Sequence, residues 1–178
     1  TGGMGAYSPA PIIDQNLVKK IIKRIVKPTL QALKDKNQFY RGFLYVGLMI
    51  KNKDPYLIEY NVRMGDPECQ VILPRLKTDL FKIISYSLKN QIKRLKLKWE
   101  INKCMTIVLC SKGYPGNYNK GKIINIKRKN EKKNLFIIHA GTKLNNGNIY
   151  STGGRVLNIV SKGQNYNQIR KKIIKLIK

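Results

Sequence analysis

Over residues 14–33, Leu17, Val18, Ile21, Ile22, Ile25 and Val26 recur at helical spacing opposite Lys19, Lys20, Lys23, Arg24 and Lys27, which predicts an amphipathic helix. Pro28 is expected to kink or divide it. Residues 42–50 are almost continuously apolar, the pattern of a strand covered on both faces. Lys51-Asn-Lys-Asp-Pro55 reads as a turn, and residues 56–63 return as a second strand, so the pair is expected to be an antiparallel hairpin. Leu80, Phe81, Ile83, Ile84 and Leu88 predict another helix. Residues 89–103 form a basic link in which Trp99 is the expected anchor. After Cys104 the texture changes to short strands, at 105–110, 122–126, 135–140, 148–151 and 155–160. They are separated by Gly113-Tyr-Pro-Gly116, the Asn145-Asn-Gly147 hairpin signal and Gly153-Gly154. Residues 165–177 close the chain as an amphipathic helix with Tyr166, Ile169, Ile173, Ile174 and Ile177 on its buried side.

The returning strand of the hairpin carries the chemistry. Alternate side chains of a strand face opposite ways, so Glu59, Asn61 and Arg63 are expected on a polar face, with Tyr60, Val62 and Met64 on a core face. Side chains two positions apart sit about 6.6 Å apart along a strand. That spacing suits two oxygen donors holding one hard divalent cation, or two bridged by phosphate, and the guanidinium beyond them suits phosphate oxygens. The alternative is an exposed charged strand face followed by a Gly-Asp-Pro turn, with Glu68 in the first turn of the next helix. Upstream, Thr1-Gly-Gly-Met-Gly5 forms a loop whose glycines permit positive φ and close approach of a ligand to backbone N–H groups, with neither Walker spacing nor a dinucleotide fingerprint.

Composition sharpens the hairpin and weakens a rival. The 178 residues include 36 Lys and Arg but 9 Asp and Glu, and Glu59, Asp66 and Glu68 fall within one stretch of ten. A formal charge of +27 raises the possibility of a basic RNA-binding module. The basic residues are mostly lysines scattered over every element, without an Arg-rich segment interleaved with aromatics. Compositional drift explains them better than specific nucleic-acid binding. No apolar run reaches membrane-spanning length. Cys69, Cys104 and Cys110 lack Cys-x-x-Cys spacing and fit a reducing cytoplasm better than a disulfide or zinc scaffold. The single histidine, His139, reads as a structural hydrogen-bonding residue.

Six motifs then stand in order: Thr1-Gly-Gly-Met-Gly-Ala-Tyr-Ser-Pro-Ala-Pro11, Glu59-Tyr-Asn-Val-Arg-Met-Gly-Asp-Pro-Glu68, Leu73-Pro-Arg-Leu76, Gly113-Tyr-Pro-Gly116, His139-Ala-Gly-Thr142 and Gly153-Gly-Arg-Val-Leu157. Their order and spacing resemble the phosphoribosylamine-glycine ligase (glycinamide ribonucleotide synthetase) family of the ATP-grasp superfamily, over essentially the whole chain. The resemblance implies an α+β fold. Residues 1–97 would be the C-terminal half of an ATP-grasp domain, an antiparallel sheet with helices, and residues 101–178 a small β-rich domain with a closing helix. It implies ligation of glycine to 5-phosphoribosylamine with ATP through glycyl phosphate, in purine biosynthesis. Another ATP-grasp carboxylate-amine ligase is the nearest alternative.

Carried over residue by residue, the resemblance makes Glu59 and Asn61 ligands of Mg²⁺ or Mn²⁺. Arg63 and Asp66 become catalytic residues, and Thr1, Gly2, Gly3, Gly5 and Glu68 substrate-binding ones. For Asp66 and Glu68, orienting an amine and organising a loop both fit. Met64 and Cys69 replace the family's expected Phe and Thr, which changes packing and leaves the polar pattern intact. Residues preceding Thr1 are expected to complete the nucleotide clamp, so this polypeptide by itself is expected to be inactive. The implied partners are glycine, 5-phosphoribosylamine, ATP and that missing N-terminal part, with no specific nucleic acid and no membrane.

Overall fold

A computed structural model describes residues 2–126 and 134–177. It contains two compact units, Thr1–Ser8 with Asp66–Leu76 and Trp99–Lys178, and Pro9–Gly65 with Lys77–Lys98. The two units interleave along the chain. Residues 1–8 supply a strand, and residues 66–76 a helix, to the sheet of the last segment.

In the unit formed by Pro9–Gly65 and Lys77–Lys98, the long amphipathic pattern folds as α1 (Gln15–Ile21), a π-helical turn over Ile22–Val26, and α2 (Lys27–Asp35). Asp14 caps the start by accepting from the Leu17 N–H at 2.7 Å. The expected effect of Pro28 is realised as the π-turn just before it. A proline in mid-helix clashes with the carbonyl four residues back, and widening the turn relieves this. The hairpin consists of β2 (Tyr45–Lys51) and β3 (Asp54–Asn61). Its two-residue turn has positive φ at both Asn52 and Lys53, the backbone twist that matches adjoining strands. Lys20 and Arg24 on the helix reach Asp54 at 2.9 and 3.0 Å. The Lys20 hydrogen bond, above all, holds the Asp54 carboxyl below the usual carboxylate range. Tyr60 turns toward the helix and shares a hydrogen bond with the Thr29 hydroxyl.

The apolar run over 42–50 is not covered on both faces. Gly47 alone of β2 is buried, and Met49 is 59% exposed, because β2 has a single partner strand and the helix covers one side of the pair. A last helix of this unit, α4 (Leu80–Leu88), starts where Asp79 caps the Lys82 N–H.

The other unit is built on a four-stranded antiparallel sheet in the order β1 (Gly5–Ser8), β4 (Lys103–Cys110), β8 (Arg155–Gly163), β5 (Leu135–His139). The strand covered on both faces is β8: residues 156–161 are all buried. On one face, Ile169 and Ile173 of α5 (Tyr166–Ile177) pack against Val156, Leu157 and Ile159. On the other, Val71 of the short α3 (Cys69–Ile72) meets Cys104 and Val160. The Asn-Gly signal makes the β6 (Thr142–Asn145) and β7 (Asn148–Ser151) hairpin. The strand expected over 122–126 is absent; Ile123 makes one isolated bridge to Tyr150. Trp99 bridges to Leu76 and is 43% exposed.

Arg75, from the Leu73-Pro-Arg-Leu76 motif, fastens the ends of this sheet. It donates to Ser8 Oγ at 2.7 Å, to the Asn102 carbonyl at 3.0 Å and to the Glu100 carbonyl at 3.2 Å. Glu100 is in turn paired with Lys162 at 2.9 Å.

Burial pushes the Cys104 thiol from 9.0 up to about 11. The folded chain therefore keeps this proton where the unfolded chain has lost it. Stability is full below pH 9 and is lost as pH rises from 9 towards 11, by roughly 3 kcal/mol from this group. Urea unfolding across this range will show the decline, and Cys104→Ala will make it shallower, the remainder coming from Cys69, Cys110 and Tyr166, whose protons burial also holds.

Candidate functional site

The sequence-derived candidates divide between the units. Glu59, Asn61 and Arg63 belong to the hairpin unit, whereas Gly2, Gly3, Gly5, Asp66 and Glu68 belong to the four-stranded unit. Thr1 lies outside the described residues.

On β3 the expected juxtaposition is present. Asn61 Nδ2 donates to Glu59 Oε1 at 3.0 Å, so the carboxylate and carboxamide touch on a solvent-facing side of the strand. Two local features set them there. A bulge shifts the register, with Gly47 opposite Glu59 and Leu48 opposite Leu57, so Ile58 has no partner and the face presented by Glu59 is reset. Gly47 also leaves room for the acid: a Cβ there would lie 2.9 Å from Glu59 Cγ. Tyr60 points the other way, toward Thr29.

The remainder of that stretch departs from strand alternation. β3 ends at Asn61, so Arg63 sits in a bend, and its Nη1 donates to the neighbouring Met64 carbonyl at 2.9 Å. Val62, expected on a core face, is 76% exposed, since beyond the last ladder pair nothing fixes the period-two pattern. Among the described residues there is no group of three or more His, Cys, Asp or Glu that could hold a metal ion. Glu59 and Asn61 therefore fit only a cation that draws its remaining oxygens from phosphates and water, which is how Mg²⁺ is commonly held.

In the other unit the glycine-rich stretch is not a free loop. None of Gly2, Gly3 and Gly5 has the positive φ expected of it. Gly5 opens β1, and the Met4 carbonyl accepts from Val108 at 3.0 Å. What Gly3 provides is close approach: any side chain would overlap Pro67. The Gly2 N–H donates to Tyr114 Oη at 2.9 Å. Asp66 has both carboxylate oxygens engaged, Oδ1 by Gln70 at 2.8 Å and Oδ2 by Arg155 at 2.7 Å. Glu68 stands at the N-cap of α3, where its carbonyl accepts from Val71 and Ile72. His139 Nδ1 shares a 3.0 Å hydrogen bond with Thr142 Oγ1, a local structural contact as expected. Sequence reasoning missed Arg155 and Tyr114; the partners of Arg155 lie 89 and 152 residues away, and no local pattern announces such a contact.

Comparison with known proteins gives two family matches. The phosphoribosylglycinamide synthetase ATP-grasp (A) domain matches residues 1–69, and the phosphoribosylglycinamide synthetase C domain matches residues 104–178. A phosphoribosylamine–glycine ligase of Caldanaerobacter subterraneus subsp. tengcongensis is 45% identical over 170 residues, covering 96% of this chain and 40% of that protein. A chloroplastic phosphoribosylamine–glycine ligase of Arabidopsis thaliana is 41% identical, with 97% and 33% covered. Among solved structures, the phosphoribosylamine–glycine ligase of Thermotoga maritima superposes with a TM-score of 0.84 at 33% identity, over 99% of this chain and 43% of that one. An L-amino acid ligase from Bacillus licheniformis, at 14% identity and TM-score 0.60 over 99% of this chain and 43% of that one, shares the fold alone. The chain spans about 40% of the length of the bacterial relatives it matches.

Substituting Gly47→Ala places a methyl group against the flexible Glu59 side chain. We expect a destabilisation of about 1 kcal/mol or more, since the methyl group meets Glu59 at Cγ, 2.9 Å away, with the Glu59 carbonyl oxygen 3.4 Å away. The Asn61 side-chain amide resonances will shift as its acceptor moves.

Proposed function

The chain belongs to the phosphoribosylglycinamide synthetase family, and on that premise we propose that it forms part of an ATP-dependent ligase joining glycine to 5-phosphoribosylamine. The fold is of the α+β, ATP-grasp kind. We read residues 1–97 as the ATP-grasp part and 101–178 as the C domain, and place the enzyme in the cytoplasm, a reading that the free thiols support.

In the proposed reaction a glycine carboxylate oxygen attacks the γ-phosphorus of ATP. The bond to ADP breaks and glycyl phosphate forms. The amine of phosphoribosylamine then attacks the acyl carbon, the bond to phosphate breaks, and the nitrogen gives up a proton. Glycinamide ribonucleotide, ADP and phosphate result.

The observation that carries this reading is the contact between Glu59 and Asn61 on one open strand face. These two side chains would hold Mg²⁺ or Mn²⁺, whose charge offsets that of the nucleotide phosphates when bound. Asn61 would present its amide oxygen to the cation, turning over the amide that donates to Glu59. Arg63, exposed beyond the strand end, would neutralise charge on the transferring phosphoryl oxygens. For Asp66, the Arg155 and Gln70 contacts support organising the loop over orienting an amine. We assign Gly2, Gly3 and Gly5 to a backbone frame beside the acyl phosphate or substrate phosphate, with Glu68 at the adjoining helix start.

The test is glycine- and phosphoribosylamine-dependent ADP release by the whole ligase carrying these residues, with other amino acids as competitors. Glu59→Ala is expected to lower kcat by about 100-fold or more, a loss of roughly 3 kcal/mol in transition-state stabilisation. The divalent-ion concentration for half-maximal rate should rise in the same variant. An unchanged metal response with Glu59→Ala would remove Glu59 from the site.

A further inference from the structure

Three of the six sequence motifs meet at one side chain, Arg155, which the proposed chemistry does not use. Arg155 is the first residue of β8, and its direction depends on an irregularity in the ladder. Leu109 pairs with Leu157 but Cys110 pairs with Arg155, so Val156 is an extra residue. Val156 and Leu157 consequently both enter the core against α5, whereas regular alternation would send them to opposite faces. The bulge redirects Arg155 toward the residues just before α3. There its Nη2 meets Asp66 Oδ2 at 2.7 Å, and its Nη1 donates to the Asp66 carbonyl at 2.9 Å and the Gly3 carbonyl at 3.2 Å.

A second fastening lies beside it. Tyr114, in the Gly-Tyr-Pro-Gly turn, accepts from the Gly2 N–H at 2.9 Å, and its ring lies against Gly154, where any side chain would collide with it. Ser111 joins the same turn to the Gly153-Gly154 segment, its N–H donating to Gly154 at 2.8 Å and its hydroxyl to Gly153 at 2.9 Å. A guanidinium bridging two carbonyls and a carboxylate is poorly replaced by lysine, whose ammonium is a compact point charge without the planar fork.

We propose that Arg155 is a positioning residue of the ligase: with Tyr114, it holds the Gly2–Met4 backbone and the Asp66 carboxylate in the arrangement needed for acyl transfer. This rests on the proposed ligase reading for its consequence, while the fastening itself is readable without any activity. Arg155 touches no substrate in this scheme; it acts through the loop.

The test uses the whole ligase with Arg155→Lys, Arg155→Ala and Tyr114→Phe. Hydrogen exchange of the peptide covering residues 2–8 should accelerate in all three variants, with melting temperatures near that of the parent protein for Tyr114→Phe and Arg155→Lys. In the parent-active enzyme, kcat should fall about 10- to 100-fold in Arg155→Lys, the scale expected of a small misplacement of reacting groups. The KM for ATP and the divalent-ion response should stay within about twofold, and added guanidinium should restore part of the rate in Arg155→Ala. Unchanged exchange, or unchanged kcat with accelerated exchange, overturns the proposal. Accelerated exchange in a parent protein that turns over neither substrate instead overturns the ligase reading and leaves the fastening standing.

Discussion

Everything proposed for the hairpin depends on two oxygen-bearing side chains sharing one open face of a strand. Glu59 and Asn61 achieve this by the period-two geometry of β3, and the bulge opposite Gly47 and Leu48 decides which face they share. Tyr60, between them, is committed to the helix through Thr29, so rotating the strand to bury Glu59 and Asn61 would sacrifice that anchor. The charge balance adds weight: in a chain with 9 acidic against 36 basic residues, Glu59 makes its close contact with an amide rather than a cation. Asp54, seven residues from Asn61, shows the opposite solution, held by Lys20 and Arg24.

The four-stranded unit uses a second bulge for a comparable end. In β3 an extra residue resets an acid; in β8 an extra residue, Val156, redirects a guanidinium. The first lies in the middle of its ladder and the second at the end of its own, and each sits beside a polar side chain whose direction it sets. Around them the packing is ordinary. The α5 face and the α3 face of β8 supply the buried apolar contacts, and Arg75 and Lys162 tie the start of β4 to its neighbours.

Much of this was legible from residues alone, and the failures have physical causes. Asp14, Pro28 and the Asn-Gly turn act locally, so the helix start, its irregularity and the β6–β7 hairpin follow from short patterns. The pairing of Glu59 with Asn61 follows from strand periodicity for the same reason. Arg63 does not, because the strand stops at Asn61 and alternation has no meaning in a bend. The apolar run over 42–50 and the one in β8 look alike as text; which of them is enclosed depends on how many strands and helices gather round it. The glycines of residues 2–5 promised unusual φ, yet serve chiefly to let Pro67 and the β4 backbone come close, a requirement set by residues far along the chain. Arg155 and Tyr114 belong to the same class of long-range contact.

The most direct measurement is paramagnetic broadening by Mn²⁺, added with nucleotide to the whole ligase labelled with ¹⁵N-asparagine, the Asn61 side-chain signal being identified by its loss in Asn61→Ala. If Glu59 and Asn61 hold the ion, that signal broadens at the lowest Mn²⁺ concentrations and stays sharp in Glu59→Ala. An Asn61 signal that remains sharp while nucleotide-bound Mn²⁺ broadens other asparagines would contradict the account.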